Sequence, residues 1–306
     1  MSEQRIGVAR DASRPIGVFD SGVGGLSVLN ALQGELPHER FVYFADSGHA
    51  PYGERGEAYV IERARAVAWH LLDVHRIKAL VVACNTATAA AIHLLRADHP
   101  GLPVVGIEPA LKPAAAASRT KRIGVIATRG TLESRKFQTL HASLTGHAEF
   151  ILQPCDGLAA AIEDTDATKI IALCARYMGA LGTFGLEVGQ IDTLVLGCTH
   201  YPFVTDELRR HTGEAVRFID TGTPVAQQAR RLLAAAGQLA PPAGTHPVDL
   251  LASAAPEALD AAAARWLRGA TTPARLIDLR MPVAASPPPG RPKAGYAPTG
   301  GSEYTQ

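Results

Sequence analysis

The sequence predicts an α/β protein made of two units of one plan, each with a mostly parallel sheet. Short β-branched runs alternate with longer stretches of helical period, the pattern of repeated strand–helix units. Several of the short runs are apolar without a break, as strands covered on both faces are. Two segments also recur at similar spacing. Ile16-Gly17-Val18-Phe19-Asp20-Ser21 resembles Ile123-Gly124-Val125-Ile126-Ala127-Thr128, 107 positions on. Leu80-Val81-Val82-Ala83-Cys84-Asn85-Thr86 resembles Leu194-Val195-Leu196-Gly197-Cys198-Thr199-His200, 114 positions on. Parallel strands all look alike, but a cysteine at the end of both is harder to ascribe to chance.

Taken in order, strands are expected at residues 16–19, 41–44, 80–83, 104–107, 123–127, 150–152, 194–197 and 216–219. Weaker ones are expected at 248–251 and 275–279. Helices are expected at 55–75, 86–96, 132–141, 168–181, 224–236 and 256–267. A length of 306 residues fits roughly two domains and allows sizeable buried cores. With 47% hydrophobic and 19% charged residues, a wholly disordered chain is excluded. No apolar run reaches the roughly 18 residues of a membrane helix, so no membrane contact is expected. Residues 1–14 are polar and lack the apolar centre of a signal peptide, which predicts a cytoplasmic location. Thirty basic residues against 29 acidic ones, a net charge of +1, leave no basic face for nucleic acid. Four cysteines are too few for a disulfide scaffold. From Pro282 the composition turns to Pro, Gly and small polar residues, so residues 281–306 are expected to be a disordered tail.

Open parallel sheets bind ligands at the carboxyl ends of their strands. Four strand-end clusters therefore carry the candidates. The first, Asp20-Ser21-Gly22-Val23-Gly24-Gly25, opens a helix and lets backbone approach an anion. It lacks the Gly-Lys-Ser/Thr of a P-loop, and Ser27 stands where a dinucleotide fingerprint has its third glycine. The second, Ala45-Asp46-Ser47-Gly48-His49-Ala50-Pro51-Tyr52-Gly53, is a loop in which Tyr52 offers a hydroxyl and an aromatic wall. The third, Cys84-Asn85-Thr86-Ala87, puts a thiol at a helix N-terminus, where the thiolate is favoured. Asn85 and Thr86 add donors for a carboxylate. The fourth, Gly197-Cys198-Thr199-His200-Tyr201-Pro202, sets a histidine near a thiol, where it can shuttle a proton. No zinc-ligand spacing is present. Cys174 reads as helix packing, Cys155 as a residue at a helix start near a cleft, and Glu163 as part of a solvated helix face.

Two thiols facing one ligand suit inversion of a carbon: one thiolate removes a proton, and the other thiol returns one to the opposite face. A free thiol titrates at about 8.5 and can be tuned toward neutrality. A pyridoxal enzyme would need a Schiff-base lysine, and none of the six lysines lies in these clusters. A route without cofactor or metal is favoured.

These residues resemble the glutamate racemases, of the cofactor-independent aspartate/glutamate racemase family, from about Pro15 to Leu279. The motifs are Gly17-Val18-Phe19-Asp20-Ser21-Gly22-Val23-Gly24-Gly25-Leu26; Tyr43-Phe44-Ala45-Asp46 with Pro51-Tyr52-Gly53; Ala83-Cys84-Asn85-Thr86-Ala87; Gly106-Ile107-Glu108-Pro109; and Leu196-Gly197-Cys198-Thr199-His200-Tyr201-Pro202. The resemblance implies two doubly wound α/β domains related by pseudo-symmetry, with the active site in the cleft between them. The first would take residues 15–109 plus 221–280 and the second residues 110–220. It implies racemisation of glutamate, supplying D-glutamate for peptidoglycan. Cys84 would act on D-glutamate with help from Asp20, and Cys198 on L-glutamate with help from His200. Glu163 matches the position of a further functional carboxylate. Substrate contacts would come from Asp20, Ser21, Tyr52, Gly53, Asn85, Thr86, Thr199 and His200. A homodimer is common in the family, and some members need a UDP-N-acetylmuramoyl-alanine activator. Three other readings stay open: an aspartate racemase of the same superfamily, a non-catalytic amino-acid-binding regulator, and a redox protein pairing Cys84 with Cys198 in a disulfide.

Overall fold

The computed structural model describes residues 11–279, so the expected tail and residues 1–10 of the N-terminal extension lie outside the described residues. The chain begins with β1 (Ile16–Asp20), α1 (Leu26–Glu35), β2 (Phe41–Ala45), α2 (Glu57–Asp73), β3 (Ala79–Val82), α3 (Asn85–Asp98) and β4 (Val104–Gly106). It continues through α4 (Leu111–Ala117), β5 (Arg122–Ala127), α5 (Arg129–Glu133), α6 (Arg135–Ala142), β6 (Glu149–Pro154), α7 (Leu158–Glu163), α8 (Ala167–Leu181), β7 (Thr193–Leu196), α9 (Thr205–Thr212) and β8 (Arg217–Ile219). It then returns to the first sheet with α10 (Gly222–Ala235), β9 (Asp249–Ala252), α11 (Pro256–Trp266) and β10 (Arg275–Leu276).

Two sheets result, ordered β10-β9-β2-β1-β3-β4 and β6-β5-β7-β8. Every pairing in both is parallel. The second sheet has the same order as the β2-β1-β3-β4 part of the first. The two recurring sequence segments are β1 with β5 and β3 with β7, so they hold equivalent places. In each sheet the chain runs out on one side of β1 or β5 and back on the other. The switch point therefore falls between β1 and β3, and between β5 and β7, where Asp20 and Cys84 and then Thr128 and Cys198 emerge.

Each sheet is covered on both faces. In β1, Ile16 and Val18 point to a core with Leu26, Leu29 and Leu32 of α1, Val225 and Leu233 of α10 and Leu259 of α11. Phe19 points the other way, to Val60 and Leu71 of α2 and Leu95 of α3. The second sheet packs on Leu158, Met178 and Leu208 of α7, α8 and α9, and on Leu111, Leu132 and Phe137 of α4, α5 and α6. Each such buried Leu, Ile, Val or Phe contributes about 1.5–3 kcal/mol of transfer free energy. That covering explains why the strands read as unbroken apolar runs.

Three local expectations need correcting. The helix expected at 132–141 is two helices, α5 and α6. Ser134 is extended between them, and its hydroxyl caps α6 by accepting from Phe137 N–H at 3.2 Å. The strand expected at 275–279 pairs only at Arg275 and Leu276. The helices α4 and α9 escaped notice, because seven or eight residues give too few turns for a periodic signal. Among the described residues no helix is long and apolar enough to cross a membrane.

Candidate active site

Asp20 ends β1 with its carboxylate fully buried. Oδ1 accepts from Ser21 N–H at 2.7 Å, and Oδ2 accepts from Gly25 N–H and, at 3.2 Å, from Thr199 Oγ1 beyond β7. Gly22 and Gly24 of this loop leave room for the second unit, which packs on them. A Cβ on Gly22 would land on the Glu163 carboxylate, and one on Gly24 on the His200 ring and Thr199 Oγ1. Burial pushes the Asp20 carboxyl up to about 6, against the lowering effect of His200 and the Ser21 N–H.

Cys84 is the N-cap of α3, its sulfur accepting from Ala87 N–H at 3.4 Å. Its thiol donates to Ser21 Oγ at 3.8 Å. The helix end was expected to favour the thiolate. Instead burial, aided by the Asp20 charge, pushes this thiol well up, because it outweighs the Ala87 and Ser21 contacts.

Cys198 lies two residues past β7. The close approach of Gly197 to the neighbouring strand, where a Cβ would sit 2.8 Å from Ile126 O, lets the chain turn there. His200 Nδ1 lies 3.6 Å from Cys198 Sγ, and Nε2 donates to Glu163 Oε1 at 2.7 Å. Burial alone would lower the imidazole, but its bonds to Cys198 and Glu163 hold it well above the usual histidine range. Glu163 is lowered in return: burial opposes its charge, and the His200 bond and Val23 N–H at 3.2 Å overcome that. The solvated helix face expected for Glu163 is thus corrected. The last residue of α7 turns its carboxylate inward, leaving the side chain 22% exposed.

All of these groups border one cavity of about 220 Å³, as do Tyr52, Gly53, Asn85 and Thr86. Both polar side-chain atoms of Asn85 are buried in its wall without a protein partner. The Tyr52 hydroxyl, read from sequence as a ligand contact, instead donates to Asp46 Oδ2 at 2.5 Å. Asp46 also receives Arg63 through Nε at 3.0 Å and a second guanidinium nitrogen at 2.9 Å. Tyr52 therefore presents ring and backbone to the cavity. Sequence reasoning missed Ser47, Asp164 and Thr128, which line it too. Thr128 had a signal: it is the counterpart of Ser21 in the internal repeat. Cys155 and Cys174 do not reach the cavity; the first donates to Gln153 O at 3.5 Å and the second is buried inside α8. All four cysteines are free thiols, so no disulfide joins Cys84 to Cys198.

Two parallel α/β units, each delivering a thiol from the third strand of its set of four, define a class of α/β proteins in which two thiols border one cavity. A family model described as Asp/Glu/Hydantoin racemase matches residues 27–229, and the chain belongs to that family. It is 48% identical over 228 residues to a glutamate racemase of Ralstonia pickettii, covering 74% of this chain and 78% of that protein. The crystal structure of a glutamate racemase from Bacillus anthracis superposes with a TM-score of 0.76 at 30% identity, covering 87% of this chain and 98% of that one. Escherichia coli glutamate racemase, in complex with L-glutamate and the activator UDP-MurNAc-Ala, superposes with a TM-score of 0.73 at 31% identity, covering 86% and 98%.

Proposed function

We propose that the protein interconverts L- and D-glutamate by two-thiol proton transfer at the α-carbon, without a cofactor, and so supplies D-glutamate for peptidoglycan. One observation carries the reading: Cys84 and Cys198 leave equivalent strands of two similar sheets and border the same polar cavity. With an amino acid between them, Cys198 takes the α-proton of the L-enantiomer while the Cys84 thiol gives its proton to the opposite face. The D-enantiomer reverses the roles. Positioned acid–base groups supply about 10²–10⁴-fold, so charge developing on the carbanion needs electrostatic help as well. The imidazolium of His200, held protonated by Glu163, stands on the Cys198 side. Asp20, a carboxylate above about pH 6, faces the cavity as counter-charge to the substrate ammonium. Ser21, Asn85, Thr86, Thr199 and the backbone of Tyr52 and Gly53 bind the carboxylates.

The same reading divides the chain into residues 15–109 plus 221–280 and residues 110–220. Sheet membership favours it, because β9 and β10 rejoin the sheet that β1 to β4 began. For the activator, the support is the E. coli relative in complex with UDP-MurNAc-Ala. The homodimer rests on the sequence resemblance alone.

The test is incubation with L- and with D-glutamate in D₂O, without pyridoxal phosphate, read by circular dichroism and NMR. Interconversion with α-deuterium uptake is expected, and Cys84→Ala and Cys198→Ala each abolish it. Cys84→Ala still exchanges the α-hydrogen of L-glutamate alone, and Cys198→Ala that of D-glutamate alone. Turnover of aspartate in place of glutamate would move the substrate and keep the mechanism. Turnover of neither, with UDP-MurNAc-Ala present, would favour the binding-protein reading.

A further inference from the structure

We propose that Ser27, which the catalytic scheme does not use, is a positioning residue that sets Cys198 and His200 from the opposite unit. This deepens the two-thiol reading and rests on it. Ser27 opens the second position of α1, in the first unit. Its Oγ lies 2.8 Å from Thr199 O and 2.9 Å from Gly24 O. A hydroxyl has one hydrogen, so these carbonyls compete for it. Donation to Gly24 O closes the local turn. Donation to Thr199 O reaches across to the peptide between Thr199 and His200.

Residue 199 is gripped on every side by this one loop. Its hydroxyl donates to Asp20 Oδ2, its carbonyl meets Ser27, and Gly24 leaves the space that its hydroxyl and the His200 ring fill. The peptide plane after Thr199 sets the direction from which His200 leaves the chain, and His200 lies 3.6 Å from Cys198 Sγ. Nothing comparable ties Ser27 to Cys84. A serine is needed where a nucleotide-binding loop would carry glycine, because the cross-unit bond needs a hydroxyl.

The consequence is one-sided. Ser27→Ala keeps a good helix former at a half-buried helical site, so folding, followed by thermal melting, is retained. Its racemisation kcat falls about fivefold to tenfold, the scale of one lost hydrogen bond. The primary isotope effect rises with α-deuterated L-glutamate, whose proton Cys198 removes, and not with the D-enantiomer. Iodoacetamide labelling, followed by mass spectrometry of the separate peptides, changes severalfold for Cys198 relative to Cys84. Ser27→Thr, which keeps the hydroxyl, restores both readouts. Equal isotope effects with both enantiomers, or an unchanged labelling ratio in Ser27→Ala, would overturn the proposal. If the wild type does not turn over glutamate, the racemase reading fails by itself and the labelling ratio still decides the role of Ser27.

Discussion

The two thiols occupy matching places and live in opposite electrostatic settings. Cys84 caps a 14-residue helix, takes an N–H from Ala87, and has the Asp20 carboxylate for a neighbour. Cys198 has no such helix behind it; a four-residue 3₁₀ turn follows, and its neighbour is the imidazolium of His200, anchored by Glu163. A shared fold plan therefore fixes where a thiol emerges and leaves its charge environment to the loops. That difference would matter for the proposed two-base reaction, in which one thiol starts as acid while the other starts as base. Pseudo-symmetric units bring both thiols to one cavity, and the loops give them unlike charged neighbours.

The contrast is broken most severely by filling the space that the first unit leaves for the second. Gly24→Ala puts a methyl group against the His200 ring and within 2.6 Å of Thr199 Oγ1. Displacing reacting groups by about 1 Å costs on the order of 10²-fold, so kcat for racemisation falls by that order. Hydrogen exchange on D-glutamate, which in the proposed scheme needs only Cys84, is expected to change far less in D₂O NMR. Equal loss of both exchange reactions would show that the loop serves the two sides alike.

A smaller effect comes from pH. Asp20 is a neutral acid below about 6 and a carboxylate above it. In the proposed scheme protonation removes the counter-charge to the substrate ammonium, so kcat/KM is expected to fall as pH drops through about 6, approaching tenfold per unit. Asp20→Asn is expected to lower activity and flatten that acid limb. An unchanged limb in the variant would move the titration to another group.

The smallest effect is expected at Tyr52. Its hydroxyl is engaged by Asp46, which keeps both Arg63 bonds without it. Tyr52→Phe should cost about 1 kcal/mol in thermal unfolding and leave KM nearly unchanged. A large rise in KM would restore the direct substrate contact suggested by the sequence.

Much of the architecture was legible because parallel strands and long helices carry strong periodic signals. The strands near 16, 80, 123 and 194 and their cysteines were placed from composition and repeat alone. Short elements were less so: α4 and α9 are too short for a helical period, and the helix expected around Glu163 gave no sign of which way that carboxylate turns. The glycines at 22, 24 and 25 read as a tight turn or anion cradle. The contacts of Gly22 with Glu163 and of Gly24 with His200 come from chain segments far apart in sequence, and local pattern cannot report those. Ser27 read only as a departure from a nucleotide-binding motif, since its acceptor at Thr199 is 172 residues away.

By itself the sequence determined the alternating elements, the two-unit plan, and the residue types delivered at strand ends, because apolar periodicity and turn chemistry are local. Only the tertiary structure decided which charged groups stand beside each thiol. It also decided the inward turn of Glu163, the capture of the Tyr52 hydroxyl by Asp46, and the grip of one unit's glycine loop on Thr199 and His200 of the other. Those depend on burial and on partners from distant segments, and both come into being only when the two sheets close on one cavity.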